Sequence, residues 1–496
     1  MPKSRRPVAP VAAEFLEEAI RAFAGRCRRP LVQEPGEEAF PLLPDRHEFG
    51  RSAGKLLLSA WDDVRNWNRR VVNVAHHQTG RLTLVIEKFG GRQAEAWIFD
   101  GDRPEALQWD RQGDRMIVRE QFRRMLRRSF TGWELDDLTT ERDLEHTLSA
   151  NYPRAVVRQG KRAWAAILAP PEAPHALSFG LIWLDYVRRR RQPKIAVEGL
   201  ALFLPAKETQ AIALRLRWLD PAKAAFQIFA YSPNGEAAPL DLADCGNLHT
   251  TIDRCQHSIL ALPDWVAQLA GWPQVERVSL AGGAASFRIF GLEFARWRDG
   301  ELRGGFEDRR LLHPRDLPEL RAVAAELANL RQEPGSLLQR RSPEAWLEMR
   351  VRESLTTLDA RLCPEPVYGQ VPAMAGVDRG IVDLLAIERS GRLAVLEIKA
   401  TEDIHLPLQA LDYWMRVAWH AEAGDFTPCG YFPGHAVSAD RPRLLLIAPA
   451  LEFHPTTETI LGFFSSVIAV ERLGVGLEWR EELRLLFRLH GAERPA

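Results

Sequence analysis

The segment GIVDLLAIERSGRLAVLEIKA (380–400) constrains the fold more than any other. Its two apolar runs flank Arg389-Ser390-Gly391, and glycine suits the left-handed position that a three-residue hairpin loop favours. Such a loop sets Glu388 opposite Arg392 and Asp383 opposite Glu397. Side chains alternate along a strand. One face therefore carries Asp383, Leu385 and Ile387 beside Leu393, Val395, Glu397 and Lys399. The other carries Val382, Leu384 and Ala386 beside Ala394, Leu396 and Ile398. A hairpin apolar on both faces needs cover on both, as in a sheet with helices packed beside it.

One face of this hairpin ends in three ionisable groups. Two carboxylates about 4 Å apart repel by roughly 4 kcal/mol at an effective dielectric of 20. They must share a proton, find a cation, or both. Lys399 can neutralise one, and a hard divalent ion such as Mg²⁺ suits oxygen ligands with open water positions. The plain alternative is a strand end emerging into solvent, with Asp383 capping a turn.

Around the hairpin the pattern runs helix (343–358), extended segment (367–374), strand (380–388), strand (392–400), helix (406–422), strand (443–449). With Asp383, then Glu397-Ile398-Lys399, then Gln409-Ala410-Leu411-Asp412-Tyr413, this stretch resembles the PD-(D/E)XK nuclease superfamily, in its RecB-like branch with a Q-x-x-x-Y element. Val382 stands where many members carry proline. The resemblance spans about Ser342 to Pro449. It implies a restriction-endonuclease-like αβββαβ core and hydrolysis of nucleic-acid phosphodiesters, DNA first and RNA second, with Mg²⁺ or Mn²⁺. It further implies Asp383, Glu397, Lys399, Gln409 and Tyr413 as catalytic residues. The metal would lie on Asp383, Glu397, the carbonyl of Ile398 and a first-helix glutamate, Glu348 before Glu353. The rival reading is a catalytically inactive nucleic-acid-binding or scaffold protein that retains this core.

At 496 residues the chain has room for roughly two to four domains. The expected division is a helix and connector (1–45), a mixed α/β region (46–335, with a break near 245) and the nuclease-like domain (343–496), making a multidomain α/β protein. The linker between the last two is RQEPGSLLQRRSPE (331–344), rich in turn residues and charge. Upstream, 82–100 reads as a hairpin turning at Gly90–Gly91 and 116–130 as a helix. IAVEGLALFLP, QAIALRLRWLD and AAFQIFAYS read as three successive strands.

The formal net charge is zero, so any electropositive surface must be local. Residues 115–194 hold 16 Lys/Arg against 9 Asp/Glu. Arg123, Arg127, Arg158, Lys161, Arg162 and Arg189 are the candidate phosphate contacts there. Cys245, His249, Cys255 and His257 do not have zinc-finger spacing. No Walker loop appears. Five scattered cysteines, no long apolar run and no signal-peptide core lead to the expectation of a cytoplasmic protein with no membrane partner.

Overall fold

The computed structural model describes residues 12–494 apart from short segments at 35–38, 45, 53–54, 62–65, 79–80, 88–92, 101–110, 171–174, 233–235, 244–249, 253, 256–261, 281–283, 306–308 and 376–377. The chain is mixed α/β and divides into two compact units, Met1–Val118 and Arg119–Ala496.

The first unit is a seven-stranded antiparallel sheet with helix Ala13–Ala24 packed on it. Leu16, Ile20 and Phe23, at helical spacing, share a core with Val32, Leu58, Leu84 and Ile98. Strand Pro30–Gln33 pairs with Gln93–Asp100. It also pairs with Phe40–Pro41, so these two short strands of the segment before residue 45 belong to the sheet. The expected hairpin is present as Arg81–Glu87 paired with Gln93–Asp100; its Gly90–Gly91 turn lies outside the described residues.

The second unit holds three sheets. Its central one has seven strands in chain order: β1 (Thr250–Ile252), β2 (Tyr368–Ala375), β3 (Asp378–Ile387), β4 (Leu393–Ile398), β5 (Arg443–Pro449), β6 (Val470–Val475) and β7 (Leu485–His490). Helix α1 (Pro343–Glu353) precedes β2, and α2 (Leu406–Ala423) crosses from β4 to β5. β4, β5 and β6 run parallel, and the other neighbours run antiparallel. The β3–β4 register follows Leu384↔Leu396 and Ile387↔Leu393, and the Glu388 N–H donates to the Arg392 carbonyl at 2.8 Å. Gly391 has φ +86°, and a Cβ on it would sit 2.2 Å from the Ala436 carbonyl oxygen. Only glycine closes this loop.

Both faces of the hairpin are covered. Leu385, Ile387, Leu393 and Val395 share a core with Leu408, Leu411 and Trp414 of α2 and with Leu181 and Leu184 of helix Ala176–Arg191. Leu384, Leu396 and Ile398 share another with Trp346 and Leu347 of α1 and with Phe287 and Trp297 of a five-stranded antiparallel sheet spanning 275–312.

Two expectations are corrected. QAIALRLRWLD is not a strand: Thr209–Leu216 is helical, burying Thr209, Ile212, Ala213 and Leu216. Strands Ala196–Pro205 and Ala225–Tyr231 are parallel neighbours, and a parallel pair needs a crossover, commonly helical. The alternating LRLRW masked that spacing. The expected linker at 331–344 is packed as well. Arg331 is fully buried, donates to the carbonyls of Phe290, Leu338 and Arg341, and lies 4.7 Å from the Trp346 ring. A guanidinium so enclosed ties the segment to its neighbours.

Candidate active site

β4 ends on a buried charge. Ile398 keeps its apolar side chain on the α1 face, so alternation turns Glu397 toward the α2 face, where it is 0% exposed. Among the described residues no N–H donates to either of its carboxylate oxygens, and Asp383 lies close enough to share a proton with it. The β3–β4 ladder stops at Leu384↔Leu396. One step further on, the Asp383 side chain takes over, its Oδ2 accepting from the Ile398 N–H at 2.9 Å. Lys399 extends beside them, with Nζ 3.9 Å from Glu397 Oε1, 3.8 Å from Glu344 Oε1 and 3.8 Å from Asp403 Oδ2. The carboxyl ends of parallel strands are where open α/β sheets place ligands.

The charges are out of balance, and the proton affinities follow. Burial pushes Asp383 up to about 6, against the Ile398 N–H and the Lys399 ammonium, which pull it down. Glu397 is raised well above the carboxylate range by burial and then by the Asp383 charge, with Lys399 opposing. For Lys399 burial is the largest influence and lowers it, but Glu344, Glu397, Asp403 and Asp383 together outweigh burial and hold it above its ordinary value. One ammonium thus serves four carboxylates.

The helix carboxylates divide into three cases. Glu348, 6% exposed, accepts from Arg352, and its proton affinity is raised to about 7, chiefly by burial. The pair lies over Gly369 of β2, where a Cβ would come 2.4 Å from Arg352 Nη2 and 3.1 Å from Glu348 Oε1. Gly369 is paired with Leu384, the residue after Asp383, so this glycine makes the room that lets Glu348 approach. Glu353 is exposed and faces Arg350 at 3.4 Å. Glu344, one helical turn before Glu348, is the α1 carboxylate that reaches Lys399. Sequence reasoning missed Glu344 and Asp403. For Glu344 the signal was spacing, since it stands four residues before Glu348 on the same helix; Asp403 lies in the non-helical stretch between β4 and α2 and carried no periodic signal.

α2 covers the face from which Glu397 projects. Gln409 Nε2 donates to the Tyr413 hydroxyl oxygen at 3.2 Å, so the predicted pair does share one side of the helix. His405 caps α2, its ring stacked on His175 at 3.5 Å between centroids. Its backbone N–H donates to Asp403 Oδ1 at 2.8 Å, which fixes the carboxylate facing Lys399.

The donor set is hard oxygen, the chemistry of Mg²⁺ or Mn²⁺, and the buried oxygens of Glu397 fit a cation. Among the described residues no three His, Cys, Asp or Glu side chains form a ready-made metal cage; as placed, the cation among the carboxylates is Lys399. Cys245, His249 and His257 lie outside the described residues.

The six candidate phosphate contacts do not form one free basic face. Arg158 pairs with Glu134 at 2.8 Å, Arg162 with Glu198, Arg189 with Asp185 at 2.7 Å and Arg123 with Glu120 at 3.5 Å. Arg127 and Lys161 are exposed. Among the described residues no helix is long and apolar enough to cross a membrane. No protein-family model matches the chain, and no curated protein matches it.

Proposed function

We propose that the second unit is a divalent-metal-dependent nuclease of PD-(D/E)XK type that hydrolyses phosphodiester bonds in DNA. The supporting observation is the fully buried Glu397 carboxyl, with no N–H donor to it among the described residues, beside Asp383 and Lys399. A carboxylate in that setting is costly unless a cation arrives.

Asp383 and Glu397 would hold Mg²⁺ or Mn²⁺, with Glu348 or Glu344 and the Ile398 carbonyl completing the set. The ion would supply Lewis-acid polarisation of a phosphate oxygen and a bound water of lowered pKa. Lys399 donates a hydrogen bond that orients the attacking water and offsets charge developing on the phosphate. Glu344 and Asp403 hold the ammonium in place for that task. Gln409 and Tyr413 border the substrate path from α2.

The test is incubation of purified protein with single- and double-stranded DNA, and with RNA, in Mg²⁺, Mn²⁺ or EDTA. Cleavage is expected with metal and absent with EDTA. Undiminished cleavage by Lys399→Ala would show a contaminant or a wrong lysine. DNA binding without cleavage would support the inactive nucleic-acid-binding or scaffold protein instead.

A further inference from the structure

A second place in the molecule has charges left over, this time positive. An open groove of about 600 Å³ lies between the C-terminal half of helix Ala176–Arg191, residues 220–223, helix Thr457–Leu461 and the chain near 492–494. Its three carboxylates are engaged. Asp185 pairs with Arg189 at 2.7 Å, Glu458 pairs with Arg472, and Asp220 Oδ1 accepts the Ala222 N–H at 2.9 Å.

The cations are not matched in the same way. Arg188 is half-buried and donates to the backbone carbonyls of Val197 and Glu198 at 3.1 and 3.4 Å, with its guanidinium 6.0 Å from the Phe463 ring. Among the described residues neither it nor the exposed Lys223 and Arg494 makes an ion pair. Burial lowers the proton affinity of Arg188, with Asp185 opposing. A guanidinium offers phosphate a planar fork of donors, an ammonium adds a point charge, and Thr459 on the wall adds a hydroxyl.

We infer that this groove binds phosphate groups, and that the phosphates are those of a nucleic-acid strand whose other end enters the acidic site. The strand assignment rests on the nuclease reading; the phosphate site does not. Helix Ala176–Arg191 links the two places. Its cap His175 stacks on His405 beside Asp403 and Lys399, whereas Arg188 lies nearly four turns along. At 1.5 Å per residue this is about 20 Å, roughly six duplex steps of 3.4 Å each.

The experiment measures binding of long and short labelled oligonucleotides in EDTA, where cleavage plays no part. It compares the wild-type chain with the Lys223→Ala/Arg494→Ala double variant, whose exposed positions leave the core intact. For long duplexes the variant should lose about tenfold or more in affinity. Its slope of log K against log salt should be shallower by roughly two. Oligonucleotides too short to reach the groove should bind both proteins equally. Equal affinity and equal slope for long strands, with no inorganic phosphate bound in calorimetry, overturns the inference. Inorganic phosphate bound by wild type and lost in the variant, with long-strand affinity unmoved, keeps the phosphate site and assigns it to a small ligand. Loss of cleavage alone, with these binding differences intact, would sink the nuclease reading and spare the groove.

Discussion

The two ends of the β4–β5 strand pair treat buried charge in opposite ways. At the start of β5, Arg443 reaches Glu388 at 2.6 Å, Asp359 at 2.7 Å and Glu471 at 2.6 Å. Arg361 adds contacts to Asp359 and Glu471 at 2.9 and 3.0 Å, and Arg488 bonds both of those carboxylates. Three guanidiniums meet three carboxylates, so the charge closes. At the end of β4, Asp383, Glu397, Glu344 and Asp403 gather, among the described residues, around the one ammonium of Lys399. The same sheet, with the same apolar cover, holds a finished ionic network at one end and an unfinished one at the other. The finished network matches each carboxylate with a guanidinium; the other gathers four carboxylates on one ammonium. Burial of an ion is therefore not by itself a sign of function. Imbalance is the more telling feature.

Perturbing each end should separate these roles. The largest effect belongs to chemistry at the open end. Glu397→Gln and Lys399→Ala should each lower metal-dependent cleavage by about a thousandfold or more in single-turnover assays. The melting temperature of Glu397→Gln should stay level or rise, since an uncompensated charge is removed. A matching loss of stability would mean that Glu397 belongs to the architecture.

Arg443→Met is the reciprocal change. It takes the guanidinium from Glu388 and leaves Asp359 and Glu471 to Arg361 and Arg488, and it should cost about 3–5 kcal/mol in urea unfolding. A cost near zero would show the closed network to be dispensable.

The pH dependences should also oppose one another. Asp383, Glu397 and Glu348 have folded values above their unfolded ones, about 6 and about 7 for Asp383 and Glu348. Their contribution is whole below about pH 4 and fades as pH rises through 6 to 7. Asp359 and Glu471 are lowered, so their contribution is present above the ordinary carboxylate range and fades as pH falls through the folded values. Metal-free protein should lose stability in thermal melts between pH 4 and 7. Mg²⁺ at a hundred times its Kd should restore about 2.7 kcal/mol at pH 7, and Glu397→Gln should blunt both changes. Flat melts across that window would refute the imbalance.

The smallest effect is at Gly369. Its alanine variant pushes the flexible end of Arg352 and should cost about 1 kcal/mol of stability. Metal affinity, read by calorimetry, should shift more than stability if Glu348 takes part in binding, and not at all if it is a bystander.

The sequence was enough to place the hairpin. Two apolar faces, a glycine where φ must be positive and one alternation rule set the loop and the Asp383–Glu397 register, because these depend on neighbours in the chain. It also placed Gln409 and Tyr413 on one side of a helix. Other features depended on partners distant in sequence. The helix at Thr209–Leu216 was hidden by an alternating run and required by two parallel strands. The apparent linker was fixed by the burial of Arg331 against the Phe290 carbonyl and the Trp346 ring, with two carbonyls of its own segment closing the cage. The neutralisation of Arg158 and Arg162 depended on Glu134 and Glu198 arriving beside them from other strands, whereas Arg189 meets Asp185 one turn back on its own helix. Periodicity and turn chemistry act over a few residues and can be read from the chain alone. Whether a charge ends up paired, like Arg443, or short of a partner, like Glu397, is decided only when segments tens of residues apart enter one low-dielectric core.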